Sequence, residues 1–248
     1  MPHSNDEEKP SIKKMQIMRW FSIPSYSIDA EEKSSRGLKH SEKHEGIRNL
    51  SDGENVIDLS QFGEIKDGYA YIQMQLPGDR IDQEFEKALK KRAVKQVDIR
   101  EATEEDIPKL VDLYNRAFLT ANDPYAPMTE QNMEAIYNYN NTVILIGKIW
   151  GKDAGFIIID FEGKEKEIGI IAGLGTLPKW QKRGVGTTLG VASWDYFKRE
   201  NVKELRCEVY SKNLGSYRLI KGMGFEPVDV KYYDLKSPTI THDEGNTD

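Results

Sequence analysis

The chain has 248 residues, 38% of them hydrophobic, with a formal net charge of −6 and a pI near 5.4. That length holds one large domain, or one ordinary domain with a sizeable extension, and the acidic balance excludes a surface that coats nucleic acid by neutralising its phosphates. A single cysteine, Cys207, excludes an internal disulfide framework and a cysteine-rich zinc site, which fits a reducing compartment.

The first residues, Met1 to Lys14, are polar and charged and do not read as a signal peptide. The longest uncharged apolar run, Ile168 to Pro178, is too short to span a bilayer. A cytoplasmic protein with no membrane partner is therefore expected. Residues 1–15 and 236–248 read as mobile tails, and 30–55, rich in Glu, Lys, Ser, His and Gly, as a linker. Met15 to Ile28 carries enough apolar surface to dock. Tyr69 to Leu76 alternates like a strand, and Asp79 is expected to cap an amphipathic helix with Ile81, Phe85, Ala88 and Leu89 on one face. Residues 1–95 thus form an expected accessory region ahead of a main domain over 96–235.

That domain opens with a short strand, Val97 to Arg100, and a helix-start signature, Thr103-Glu-Glu-Asp106. Ile107, Leu110, Val111, Tyr114 and Phe118 recur at helical spacing and mark a buried face. Thr129 to Tyr137 predicts a second helix. Thr142 to Trp150 and Gly155 to Phe161 predict strands joined by a turn at Lys152-Asp153. A strand ends at Pro178, and a helix runs from Gly186 to Lys198. Leu205 to Tyr210, Leu214 to Lys221 and Val228 to Tyr233 then predict strand, helix and strand. Cys207 sits inside one of these strands and reads as core.

The segment Pro178-Lys-Trp-Gln-Lys-Arg-Gly-Val-Gly-Thr-Thr188 joins an apolar strand to a helix through two glycines preceded by basic residues. Backbone N–H groups at a helix N-terminus lack intrahelical partners and sit at the positive end of the helix dipole, so they can receive phosphate oxygens where no Cβ blocks the approach. Gly184 and Gly186 supply that access. A P-loop is excluded, because no Lys-Ser or Lys-Thr follows the last glycine. A dinucleotide fingerprint read from Gly173-Leu-Gly175 would place Pro178 at its third glycine.

Gln181-x-x-Gly184-x-Gly186 resembles the acyl-CoA pyrophosphate loop of the GNAT superfamily of N-acyltransferases. Asn213-x-x-Ser216 followed by Gly224-Phe225 is similar to the family's second landmark, and the element order over about residues 96–235 is the family's order. The resemblance implies an α/β (α+β) fold with a mixed, splayed central sheet flanked by helices, carrying an N-terminal accessory extension. It also implies acetyl-CoA as donor, held by the backbone of Leu174 and Thr176, by Gln181, Lys182, Arg183, Gly184, Val185, Gly186 and Thr187, and by Asn213 and Ser216. Asn213 can equally serve as a helix N-cap.

The tyrosine that often protonates the leaving thiolate is replaced by Ile220. Tyr217, about 60° away around the helix, can take that role or stack beside the donor. The general base is open among Glu167, Glu208, Asp160, Glu162 and a water chain. The four histidines, His3, His40, His44 and His242, fall outside the family-like region, and no metal is expected. By the same resemblance the acceptor enters over Leu119 to Thr129, where Asp123 can attract a cationic amine and Tyr125 can form an apolar wall. The expected activity is direct acetyl transfer to a small-molecule, protein or peptide amine. The competing reading is a CoA-binding regulatory module that has lost catalysis, and a homodimer is left open.

Overall fold

In a computed structural model of the chain the described residues are 57, 59–63 and 68–233. The expected tails, the linker, the apolar segment 15–28 and all four histidines lie outside them.

Twelve α-helices and strands follow along the described residues: β1 Tyr69–Pro77, α1 Gln83–Lys90, β2 Val97–Glu101, α2 Ile107–Phe118, α3 Glu130–Tyr137, β3 Val143–Ile149, β4 Lys152–Glu162, β5 Ile168–Thr176, α4 Val185–Arg199, β6 Glu204–Tyr210, α5 Leu214–Gly222 and β7 Glu226–Tyr233. The strands form one sheet in the order β2-β3-β4-β5-β6-β1-β7. Every pairing is antiparallel except β5 with β6. From β2 onward the elements are those the sequence predicts.

Successive residues of a strand point to opposite faces, and β4 shows which helices cover which face. Phe156 packs 6.0 Å from Tyr114 and 6.5 Å from Phe118, both on α2. A Cβ on its neighbour Gly155 would instead meet Val185 and Leu189 of α4. The sheet is therefore sandwiched between α2 and α4, with Leu110, Leu113 and Ala117 buried on one side and Leu189 and Phe197 on the other. The start of α2 is fixed by a reciprocal capping box between Thr103 and Asp106. Arg100 also grips both Asp106 oxygens at 2.6 Å, which holds that carboxyl well below its usual range.

Three expectations are corrected. The helix cap in the accessory region is Asp82, whose carboxylate accepts from the Phe85 N–H at 2.7 Å, and not Asp79. The β3–β4 turn is Trp150-Gly151, not Lys152-Asp153. Both turn residues have positive φ, 50° and 74°, which suits the right-handed twist of a two-residue hairpin. The third concerns β1. Although it precedes the expected domain start, it lies inside the sheet, pairing along its length with both β6 and β7. Ile72, Met74 and Leu76 are buried there. A boundary at residue 95 would cut through this sheet.

The feature that positions the site is a parting of strands. The β5–β6 register runs from Ile168↔Glu204 only as far as Ile171↔Cys207. Immediately beyond, the β4–β5 register steps from Ile159↔Ile171 to Ile158↔Gly173, leaving Ala172 as the extra residue of a β-bulge. Bulges bend and twist the strand that carries them. From Gly173 to Thr176, β5 stays paired with β4 and is no longer paired with β6.

Candidate active site

The parted strands open onto a cleft of about 830 Å³ lined by β5 from Ile170 to Thr176, the loop before α4, the end of β6, and the first turns of α5. At its floor β5 must lie flat against an aromatic layer. A Cβ on Gly175 would fall 2.5 Å from the Phe156 ring, so glycine is required there by packing.

The loop after β5 is built around buried Trp180, whose ring is flanked by Lys179 at 5.1 Å and Arg183 at 5.6 Å. Gln181 donates through Nε2 to the Thr176 carbonyl at 3.3 Å, tying the loop back to β5. Gly184 caps α4 with φ of 78°, a left-handed conformation that costs other residues about 1–2 kcal/mol. A Cβ on Gly184 would lie 2.3 Å from Val94 Cγ2, and one on Gly186 would lie 2.9 Å from Leu219 Cδ2. Backbone conformation and packing thus demand glycine at 184 independently of any ligand, whereas at 186 the tip of the Leu219 side chain would have to shift. Thr188 locks the arrangement: its hydroxyl donates to the Gly184 carbonyl and accepts from the Val94 N–H, both at 2.9 Å. The backbone of Val185, Gly186 and Thr187 lines the cleft at the helix N-terminus, where N–H groups have no intrahelical acceptor. Lys182 and Arg183 are exposed beside it. Of these two, Lys182 borders the cleft and Arg183 does not.

At the other end, Asn213 uses both ends of its amide. Its Oδ1 caps α5 by accepting from the Ser216 N–H at 3.0 Å, and its Nδ2 donates to Asp123. Asn122 Nδ2 adds a bond of 2.6 Å to the Lys212 carbonyl. The segment after α2 is thereby clamped onto the β6–α5 connection, which brings Asp123 and Asn213, 90 residues apart, together in the cleft wall. Burial pushes the Asp123 carboxyl up to about 6, against the opposing effect of the Asn213 hydrogen bond.

Besides Arg183, two predicted side chains stay out of the cleft. Tyr125 donates to Asn115 Oδ1 at 3.1 Å and does not line it. Tyr217 is half-buried and also off the lining, with Lys221 Nζ 6.0 Å from its ring centroid. The reason is helical phase. Ser216, Leu219 and Ile220 define the face of α5 turned to the cleft, and Tyr217 lies well round from it. Among the acids, Glu162 and Glu208 border the cleft, whereas Asp160 and Glu167 do not. Glu208 is engaged by Lys231 at 3.1 Å and the Tyr233 hydroxyl at 2.8 Å.

The cleft also contains residues that the motifs did not indicate. Tyr71 of β1 and Tyr210 of β6 face each other across the register, their ring centroids 5.3 Å apart. The Tyr71 hydroxyl is buried without a hydrogen-bond partner among the described residues. Its burial, with negative charge at Asp123, raises its proton affinity far above a normal phenol's.

Residues 107–225 match the model of the Acetyltransferase (GNAT) family. These residues are a GNAT acetyltransferase domain. The family carries acyl transfer from acyl-CoA as its general chemistry. The sheet of this GNAT domain extends past the matched segment through β1, β2 and β7.

Among solved structures, the fold is similar to a functionally unknown conserved protein from Staphylococcus epidermidis, with a TM-score of 0.51 and 17% identity over 67% of this chain and 60% of that one. It is also similar to a tandem GNAT protein from the clavulanic acid biosynthesis pathway, with a TM-score of 0.51 and 16% identity over 66% of this chain and 52% of that one. The chain therefore spans between half and two thirds of the length of these two structures. No curated protein matches the sequence.

Proposed function

We propose that the chain is an acetyl-CoA-dependent N-acetyltransferase that passes the acetyl group directly to an amine held in the same cleft. The observation that carries this reading is the gap between β5 and β6 beyond Ile171 and Cys207, which leads to the N-terminus of α4. The fit to a CoA donor rests on two ends of one channel. At one end an uncapped turn of backbone N–H groups, Val185 to Thr187, suits a diphosphate. At the other, β5 from Ala172 to Thr176 is released from β6, leaving Leu174 and Thr176 to offer backbone bonds to a pantetheine arm. When bound, acetyl-CoA supplies an acyl group activated as a thioester.

The side chains divide the remaining work. Lys182 adds positive charge beside the diphosphate end, with Arg183 nearby. Asn213, with both amide ends engaged, holds α5 and Asp123 in place, and Ser216 is fixed through its N–H. Asp123, with a raised proton affinity, can take the proton that an ammonium must lose before its nitrogen attacks. Tyr217 has no part in this reading, since its ring is off the lining.

Calorimetric titration of the full chain with coenzyme A tests the donor site. One molecule should bind per chain, and free adenine should not compete at similar concentration. A chain that ignores coenzyme A at millimolar concentration overturns the proposal.

A further inference from the structure

One end of the sheet carries a charge opposite to that of the chain. There β2 begins, β3 turns into β4 through Trp150-Gly151, and β5 runs into the loop before α4. Residues 94–98, 148–153 and 177–184 make up this end and hold six cations, Lys95, Lys148, Lys152, Lys179, Lys182 and Arg183, against two acids, Asp98 and Asp153. The chain as a whole has a formal charge of −6. Contacts tie the three segments together: Val97 pairs with Ile149, the Val94 N–H donates to Thr188 at the start of α4, and an edge contact of 5.9 Å between the Trp150 and Trp180 rings joins hairpin to loop. Of the six cations only Lys148 has an ion pair among the described residues, with Asp153 at 3.8 Å.

Trp150 is the costly residue of this end. A two-residue hairpin turn with positive φ at both positions favours Asn-Gly, and a bulky residue at a φ of 50° is an outlier. Its indole is also 73% exposed, in spite of the contact with Trp180. Backbone strain and an apolar ring in water both cost stability, and a strained residue of this kind points to a role outside the fold. Around the Trp180 ring, Lys179 stands at 5.1 Å and Arg183 at 5.6 Å, so the projecting indole is flanked by positive charge. Apart from Lys182, none of the six cations lines the reaction cleft, and neither does Trp150. The patch therefore lies on the outer side of the donor loop and is not explained by the diphosphate.

We infer that this end of the sheet docks on an anionic bilayer surface, with the Trp150 indole seated at headgroup level and the cations facing anionic headgroups. Indole rings favour that level because the ring body is apolar while the N–H stays wet. A lysine or arginine near such a surface adds about fivefold to affinity, and acids elsewhere on the chain are screened beyond about 10 Å at ordinary salt. Shape decides against a strand of nucleic acid. Such a strand is gripped in a basic groove with aromatic platforms for successive bases, whereas here one ring stands on a hairpin tip outside the cleft. No helix of the described residues is long and apolar enough to cross a membrane, so the contact is peripheral and reversible. The expectation of no membrane partner rests on the missing span alone, and attachment to a surface needs none.

The test measures co-sedimentation of the full chain with vesicles of phosphatidylcholine, alone or mixed equally with phosphatidylserine. The mixed vesicles should bind at least about a hundredfold more tightly, the product of three basic contacts at about fivefold each, and added salt should weaken the binding. Trp150→Asn should weaken it at least about tenfold through loss of one seated aromatic side chain. Because Asn-Gly suits this turn, that variant should melt at or above the wild-type temperature. Lys95→Gln, Lys152→Gln and Lys179→Gln combined should weaken binding about a hundredfold, and melting curves show that each variant is folded. Brominated lipid should quench more tryptophan emission in the wild type than in Trp150→Asn. The inference is overturned if the chain ignores both kinds of vesicle or binds them equally, if either folded variant binds as the wild type does, or if polyuridylate binds at the same salt while vesicles do not.

Discussion

Replacing Asp123 by Asn should stabilise the fold at neutral pH and leave it nearly unchanged in acid. The side chain keeps an oxygen to accept from Asn213, so the clamp between the two loops survives, while the ionisable group is gone. In the folded chain burial raises this carboxyl from 3.8 to about 6. Between those values the unfolded chain has released the proton and the folded chain has kept it. The folded state therefore binds more protons, and stability falls as pH rises through this window. Each pH unit is worth about 1.4 kcal/mol, so the wild type bears a penalty of about 3 kcal/mol once the pH exceeds about 6. Asn at this position bears none. Urea unfolding near pH 7.5 should find the variant about 3 kcal/mol more stable, and near pH 4 the gap should shrink to about 0.5 kcal/mol. The general loss of stability in acid cancels in this difference. A variant that is equally stable at both pH values, or less stable near neutrality, would refute the claim that an unpaired, desolvated carboxylate lines the cleft.

Other changes follow from the same contacts. Tyr71→Phe removes a buried hydroxyl that has no partner among the described residues, so it should leave thermal stability equal to wild type or raise it by about 1 kcal/mol; a clear loss in differential scanning calorimetry would mean that the hydroxyl is satisfied. Gly184→Ala should cost at least about 1–2 kcal/mol, from φ alone, with the Val94 contact adding to it, and should weaken coenzyme A binding by at least about tenfold by displacing the loop. Asn213→Ala should lose about 1 kcal/mol of capping and raise the apparent pKa of Asp123 above that of the wild type, which NMR titration of the carboxyl would follow. Tyr217→Phe should leave the maximal rate of thiol release unchanged, and a large fall would return that tyrosine to the chemistry.

The parts of the site that the sequence made legible are those whose cause is local. A helix start with glycines at two fixed offsets can be read from eleven consecutive residues, and Asn213 with Ser216 is a capping pair within one turn. Even there the physical reason was incomplete. Ligand access is the expected reason for Gly184 and Gly186, but the left-handed φ and Val94 also require glycine at 184, and Leu219 crowds 186; neither neighbour is visible in a motif. The least legible element was β1. Its alternation marked a strand, yet its partners lie more than 120 residues downstream, and no local pattern specifies that it will insert between β6 and β7. Tyr71 was hidden for the same reason. The turn at Trp150-Gly151 was missed because Lys-Asp reads as polar punctuation, while the backbone needed two consecutive positive φ values. The place of Tyr217 depends on helical phase: Ser216, Leu219 and Ile220 line the cleft and Tyr217 does not.

The most direct test of the account is the release of coenzyme A thiol when the full chain, acetyl-CoA and an amine panel are combined, with the acetylated product identified by mass spectrometry. The account predicts thiol release that depends on the amine, matched one for one by acetylated amine, and strongest for amines that are cationic in solution. Tight binding of acetyl-CoA with no thiol release from any amine would contradict it and leave a CoA-binding module that does not transfer.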